Sequence, residues 1–268
     1  MEYITNIKPG EPVKAVLFDF DGTISTLRCG WESVMQPLML EMISGGHPYG
    51  DALVHEIDAY IDTSTGIQTI FQMKWLAEQV ASRGMNPGAP SDPWWYKAEY
   101  SRRLALYIAD RKLGLSEGRY PPSDFIIGGS VEFLSKLKEK SIKMYVASGT
   151  DHPDVVEEAG ALGVADFFDE IAGAPPHEEN CSKESVLNRL VTQYGLRGNQ
   201  VAVIGDGKVE IALGRAIGAR TLGLATDEIN RFGISQIKRG RLLSAGADVI
   251  DGDFCDMSGI LSWLGLSE

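Results

Sequence analysis

Two carboxylates one residue apart, Asp19 and Asp21, directly follow the apolar run Ala15 to Phe18 and precede Gly22. The intervening Phe20 points the other way in an extended chain, so both acids face one small volume. Two carboxylates that close repel unless a cation or a shared proton lies between them, as a hard divalent ion with oxygen ligands would. A second group, Ser148-Gly149-Thr150, ends the apolar run 142–147 and offers a hydroxyl and accessible backbone N–H groups to an anionic oxygen. Lys183 opens a helix whose apolar face is Leu187, Leu190, Val191 and Tyr194. A lysine beside the positive end of the helix dipole needs compensation, which a bound phosphate supplies, while Ser182 can cap the helix independently. Arg189 is a weaker alternative cation inside the same helix. Finally, Val201 to Ile204 ends in Gly205-Asp206-Gly-Lys-Val-Glu210, again delivering carboxylates beyond an apolar run, with Lys208 either solvated or paired to an acid. Singly, each group also reads as an acidic turn, a Ser-Gly turn or a solvated lysine.

The elements that must position these groups follow from apolar periodicity. Ala15 to Phe18 has no polar interruption, as in a strand buried on both faces of a parallel sheet. From residue 125 onward, strands and helices alternate. Helix 130–140 packs through Val131, Leu134 and Leu137; strand 142–147, helix 152–161 and a strand near Ile171 follow. Helix 182–194, strand 201–204, helix 209–217, strand 220–225, a less regular helical stretch 229–244, strand 248–250 and helix 257–264 complete the series. Such alternation predicts right-handed βαβ units and a mainly parallel, doubly wound α/β sheet. Between the first strand and residue 125 the chain is helical: 31–42 with Pro37 expected to bend or break it, 53–60, 65–83 and 94–112, with 114–124 irregular. We therefore expect an α/β core, 1–24 with 125–268, and an inserted all-α domain, 25–124.

Composition narrows the function. With 268 residues, 44% hydrophobic and 23% charged, the chain suits a soluble globular protein. The 37 acidic against 25 basic residues, net charge −12, argue against nucleic-acid or membrane partners. A phosphate-ester substrate would then need local positive groups or a divalent cation. Cys29, Cys181 and Cys255 are scattered, without metal-ligand or disulfide spacing. With no signal-peptide core in the first ten residues and no apolar run long enough to span a bilayer, a cytoplasmic protein, monomeric or homodimeric, is expected.

Asp19-Phe-Asp21-Gly-Thr23 resembles the first motif of the haloacid dehalogenase-like superfamily, within it the β-phosphoglucomutase-like and phosphoglycolate phosphatase-like group with a helical cap after that motif. Ser148, Lys183 and the Gly205-Asp206 pair resemble its second, third and fourth motifs in the expected order. Glu210 stands where aspartate is commoner. The resemblance implies a Mg²⁺-dependent phosphatase acting on a small phosphate monoester, a sugar or polyol phosphate foremost. It implies Asp19 as nucleophile forming an aspartyl-phosphate, Asp21 as acid and base, Ser148 and Lys183 on the phosphoryl group, and Mg²⁺ held by Asp19, the Asp21 carbonyl and Asp206, with Glu210 direct or through water. Gly22, Thr23, Gly149 and Thr150 fall beside these motifs as substrate contacts. In the cap segment, Arg28, Thr65, Gln68, Thr69 and Gln72 are candidates for substrate anions or hydroxyls, Thr65 to Gln72 as one helical face, and Trp94, Trp95 and Tyr96 for stacking or core. A sugar phosphomutase of the β-phosphoglucomutase type is the alternative activity, and a non-catalytic binding protein a third.

Overall fold

A computed structural model of the chain describes residues 1–5, 11–179 and 182–266, with only the backbone of Ser182. Cys181 and the capping expectation for the Ser182 side chain lie outside the described residues. The chain divides into two compact units, Met1–Cys29 with Gly114–Glu268, and Gly30–Leu113, so the division falls five residues after the first expected boundary and eleven before the second.

The first unit is an α/β sandwich. Its strands are β1 Glu2–Tyr3, β2 Ala15–Phe18, β3 Lys143–Asp151, β4 Glu170–Ala174, β5 Val201–Gly205, β6 Arg220–Leu224 and β7 Val249–Asp251. Their order in the sheet is β1-β7-β6-β5-β2-β3-β4. All neighbours are parallel except β1, a short antiparallel edge strand on β7 that lacks the apolar run needed to foresee it. The earliest long strand thus sits at the centre, between β3 and β5.

Alternation along β2 shows why helices cover both faces. Val16 and Phe18 join one core cluster with Phe133, Leu134, Val155 and Ile260, from helices α5 (Ser130–Glu139), α6 (His152–Ala161) and α10 (Met257–Trp263). Ala15 and Leu17 face the opposite cluster, built with Val186, Leu187 and Leu190 of α7 (Ser182–Thr192). Ile211 of α8 (Lys208–Ala216) packs near Leu242 of α9 (Gln236–Ala245) in a third cluster. The sheet is doubly wound, and the carboxyl ends of its parallel strands form the edge where ligands bind in such folds.

The second unit is all-α: α1 Glu32–Ser44, α2 Asp51–Thr63, α3 Thr69–Arg83 and most of α4 Pro93–Ser116. Its core gathers Met35, Leu38, Met39, Ile57, Met73, Leu76, Tyr96, Tyr100 and Leu104.

Several local expectations are corrected. Pro37 lies within α1 without ending it. It denies a donor only to the carbonyl of Ser33, and both residues are exposed, so water can satisfy that carbonyl. Thr65 and Gln68 precede α3 and do not share its face; the segment before Thr69 is a turn in which Thr65 Oγ1 donates to the Ile61 carbonyl. Helix α4 continues through Gly114 to Ser116, and a side chain at Gly114 would strike the Tyr120 ring, at 2.1 Å. In α5, Val131 is exposed and Phe133 takes the buried place. The stretch 229–235 is a turn with Arg231 and Gly233 in the left-handed region, so α9 begins only at Gln236, capped by Ser235. No helix of the described residues is long and apolar enough to cross a membrane.

Candidate active site

The site grows from the end of β2. The Asp19 amide donates to the Ile204 carbonyl of β5, locking the residue after the strand to its neighbour. The chain then turns sharply: the amides of Thr23, Ile24 and Ser25 all donate to the Phe20 carbonyl, and Gly22 takes φ +74°. A Cβ at Gly22 would lie 2.3 Å from Asp206 Oδ2, so glycine is required both by the backbone and by the approach of the β5 loop.

Three strand ends meet here. Asp19 of the β2 end and Asp206 and Glu210 of the β5 end and α8 place one carboxylate oxygen each within 4.8 Å of one another, and all three are buried. Lys183 Nζ of α7 lies 2.9 Å from Asp19 Oδ2 and 2.7 Å from Glu210 Oε2. The other Glu210 oxygen accepts the Gly207 N–H, so both oxygens are engaged inside the protein. Burial pushes the Asp19 carboxyl well above its ordinary range; Lys183 opposes this, and Glu210 and Asp206 reinforce it. Burial disfavours the Lys183 ammonium, yet Asp19 and Glu210 more than offset it and raise its pKa.

From β3, Thr150 Oγ1 donates to Asp21 Oδ2 at 2.7 Å and Ser148 Oγ lies 3.4 Å from the same oxygen. The Thr150 amide donates to Ser148 Oγ, which folds the 148–150 segment where the β3–β4 register shifts, with Gly149 between them partly exposed. The second Asp21 oxygen is buried without a hydrogen bond, 3.9 Å from Arg28 Nε.

The residues expected from sequence divide accordingly. Asp19, Asp21, Gly22, Ser148, Thr150, Lys183, Asp206 and Glu210 are joined by the contacts above. Thr23 is fully buried and its hydroxyl has no hydrogen-bond partner, so it does not present a donor to solvent. Arg28 is committed elsewhere: its guanidinium grips Glu158 of α6 with two nitrogens, at 2.8 and 3.0 Å, and reaches Asp154 at 3.2 Å. Arg189 pairs with Glu170 rather than entering the cluster. In the helical unit, Gln72 Nε2 donates to Ser64 Oγ, and both Gln68 and Gln72 are buried. Tyr96 is core, its hydroxyl donating to the Pro90 carbonyl; Trp95 is exposed, and Trp94 carries the Lys97 ammonium over its ring.

Two contributors were not legible in the sequence. Lys238 of α9 places Nζ 2.7 Å from Asp206 Oδ2 and also pairs with Glu228. Burial disfavours its charge, but Asp206 and Glu228 outweigh that and raise its pKa. Glu158 is the buried anchor of Arg28. Lys238 lies in a stretch without strong periodicity, and nothing in its neighbours marks it; Glu158 carries a faint signal as an acid on the inward side of an otherwise apolar helix face.

The donor set suits a hard divalent cation. All candidate ligands are oxygens, and three buried carboxylates converge from two strand ends with Lys183 and Lys238 beside them. A doubly wound α/β fold with a buried carboxylate and lysine cluster at the carboxyl edge of its parallel sheet is what fold and site together describe.

Comparison with known proteins agrees. A family model for haloacid dehalogenase-like hydrolases matches residues 13–218, and the chain belongs to that family. It is 23% identical over 255 residues to a phosphoglycolate phosphatase of Rhodospirillum rubrum, covering 95% of this chain and 92% of the relative. Among solved structures, a β-phosphoglucomutase from Clostridium difficile superposes with TM-score 0.65 at 14% identity, covering 94% of this chain and 97% of the other. A predicted phosphoglycolate phosphatase from Haemophilus somnus gives 0.62 at 16% identity, covering 92% and 97%. The fold class and hydrolase family read from the motifs therefore stand.

Proposed function

We propose that this chain is a Mg²⁺-dependent phosphatase that hydrolyses a small phosphate monoester through an aspartyl-phosphate on Asp19. The observation that carries the reading is the meeting of Asp19, Lys183, Glu210 and Asp206 in one buried cluster, with Asp21 beside it. Asp19, Asp206 and the Asp21 carbonyl would hold the cation, and Glu210, whose oxygens serve Lys183 and Gly207, would act behind them. When bound, Mg²⁺ would keep Asp19 ionised and offset charge on the phosphoryl oxygens.

The residues then have distinct tasks. Asp19 attacks phosphorus in line while the P–O bond to the alcohol breaks. Asp21, held by the Thr150 hydroxyl, gives its proton to the leaving alkoxide and afterwards takes one from the water that cleaves the acyl phosphate, restoring Asp19 and releasing phosphate. Lys183 and Ser148 orient the transferring oxygens. A carboxylic acid at position 21 suits an alkoxide leaving group, which favours sugar and polyol phosphates or the phosphoglycolate named in the relatives. We assign Gly30–Leu113 as the cap that reads the leaving group, and place the protein in the cytoplasm acting on a soluble metabolite.

Phosphate release is to be measured across phosphoglycolate, sugar, polyol, amino-acid and nucleotide monophosphates, with Mg²⁺ and with chelator. We expect Mg²⁺-dependent turnover of at least one small monoester and none by Asp19→Asn. Turnover that survives both chelation and Asp19→Asn overturns the mechanism. Activity appearing only with a sugar bisphosphate present would point to the phosphomutase instead.

A further inference from the structure

The expected motifs account for one lysine in the cluster, Lys183. The second, Lys238, comes from a helix that none of those motifs reaches. Its ammonium is buried, 2.7 Å from Asp206 Oδ2, with Glu228 as its second partner. It also lies against the first motif: a Cβ at Gly22 would be 3.1 Å from Lys238 Nζ and 2.3 Å from Asp206 Oδ2. The missing side chain of Gly22 therefore makes room for a carboxylate and an ammonium together, one residue from the Asp21 carbonyl. Any cation held by Asp19 and Asp206 has this ammonium as a near neighbour, and like charges a few ångströms apart in a buried site repel strongly.

We propose that Lys238 is a built-in counter-cation of the metal centre: it holds one Asp206 oxygen, leaves the other for the metal, and by its charge restrains divalent-cation affinity. The inference rests on the metal reading given above. The charge balance supports it. Taken as ionised, the carboxylates paired to the two lysines, Asp19, Asp206, Glu210 and Glu228, outnumber Lys183 and Lys238 by two. Without Lys238 the excess is three, and a cation is drawn in more strongly. A lysine at this place also lets the carboxylates assemble before metal arrives and keeps the bound ion exchangeable.

The test is metal binding by the full chain, with Mg²⁺ followed by calorimetry and Mn²⁺ by electron paramagnetic resonance, and no substrate present. Lys238→Met is expected to bind both ions about tenfold or more tightly than wild type. The double variant Lys238→Met with Glu228→Gln restores the charge balance and is expected within about threefold of wild type. A role limited to orienting Asp206 predicts the opposite, weaker binding in both. Unchanged or weaker binding by a folded Lys238→Met overturns the proposal. Should that variant not fold, the double variant decides: wild-type affinity supports the counter-cation, and a tenfold loss overturns it. Asp206→Asn separates the two readings. If it binds metal as wild type does, or if wild type binds none, the metal site itself is misplaced and the proposal falls with it; loss of binding in Asp206→Asn alongside unchanged Lys238→Met overturns the Lys238 role alone.

Discussion

Replacing the proposed nucleophile by its neutral isostere, Asp19→Asn, is expected to make the metal-free protein more stable while abolishing turnover. The carboxylate oxygen of Asp19 is within 4.8 Å of those of Asp206 and Glu210. At an effective dielectric constant of about 20, each of those like-charge pairs costs at least about 3.5 kcal/mol. The Lys183 contact at 2.9 Å returns about 6 kcal/mol on the same scale, so the charges roughly cancel with a small excess of repulsion. Burial, the largest influence on Asp19, then tips the balance against the ionised form. Asparagine keeps the shape and an acceptor for Lys183 but carries no charge, and Lys183 retains Glu210. A net gain of about 1–3 kcal/mol follows, or a melting point higher by about 2–10 °C. The sign of the pH dependence is fixed. Because the Asp19 carboxyl is raised in the folded state, the wild type binds the extra proton between the ordinary carboxylate value and its own, and its stability falls as pH rises through that interval. The advantage of Asp19→Asn should therefore be absent in acid and grow toward neutral pH. Thermal unfolding followed by circular dichroism in chelator from pH 4 to 8 measures it. A variant less stable than wild type at neutral pH, or a difference independent of pH, would refute the charge reasoning.

Other perturbations test separate contacts. Thr150→Val removes the 2.7 Å hydrogen bond to Asp21 and should lower kcat about tenfold with KM nearly unchanged; an unaltered kcat would show that Asp21 is held by other means. Gly22→Ala places a methyl group 2.3 Å from Asp206 Oδ2 at a φ of +74°, so Mg²⁺ binding by calorimetry should weaken by about tenfold or more, and wild-type affinity would contradict the packing described. Arg28→Met strips the buried Glu158 of its bidentate partner, at a cost of about 3–5 kcal/mol in urea unfolding; a loss under 1 kcal/mol would mean that Glu158 protonates or finds water instead.

The sequence made the α/β core legible because buried parallel strands are uninterrupted apolar runs, and the proposed site lies where those runs stop. Ala15 to Phe18 and Val201 to Ile204 each end in carboxylates, and the sheet places these strands side by side. Lys183 was legible only through its order between two motifs, since one lysine in a helix looks like any other. Lys238 and Glu158 were hard to read for a different reason: they pair with Asp206 and Arg28, 32 and 130 residues away, and a pairing made by the fold leaves at most the faint local signal seen at Glu158. The same holds for Arg28. It reads as a cation beside the first motif, poised for an anionic group, yet two acids one turn apart on α6 already occupy it. In the helical unit, amphipathic periodicity found the helices but not their outward chemistry, because Gln68 and Gln72, polar by type, are buried.

These pairings bear on how an anionic substrate enters a chain of net charge −12. Three cations at the described site are each committed to carboxylates: Lys183 to Asp19 and Glu210, Lys238 to Asp206 and Glu228, Arg28 to Glu158 and Asp154. A phosphate dianion approaching this arrangement meets ammonium groups whose charge is already answered. A divalent ion held by Asp19 and Asp206, as proposed, would change that balance, because Lys183 would then hold one carboxylate instead of two and could turn to a phosphoryl oxygen. Metal and substrate would thereby be coupled through Lys183, so cation binding and phosphate binding should each strengthen the other by the same factor, the reciprocity that linkage requires. The ion pairs would then be the resting state of the proposed catalytic groups, holding carboxylates and ammonium in place until metal and ester exchange partners with them.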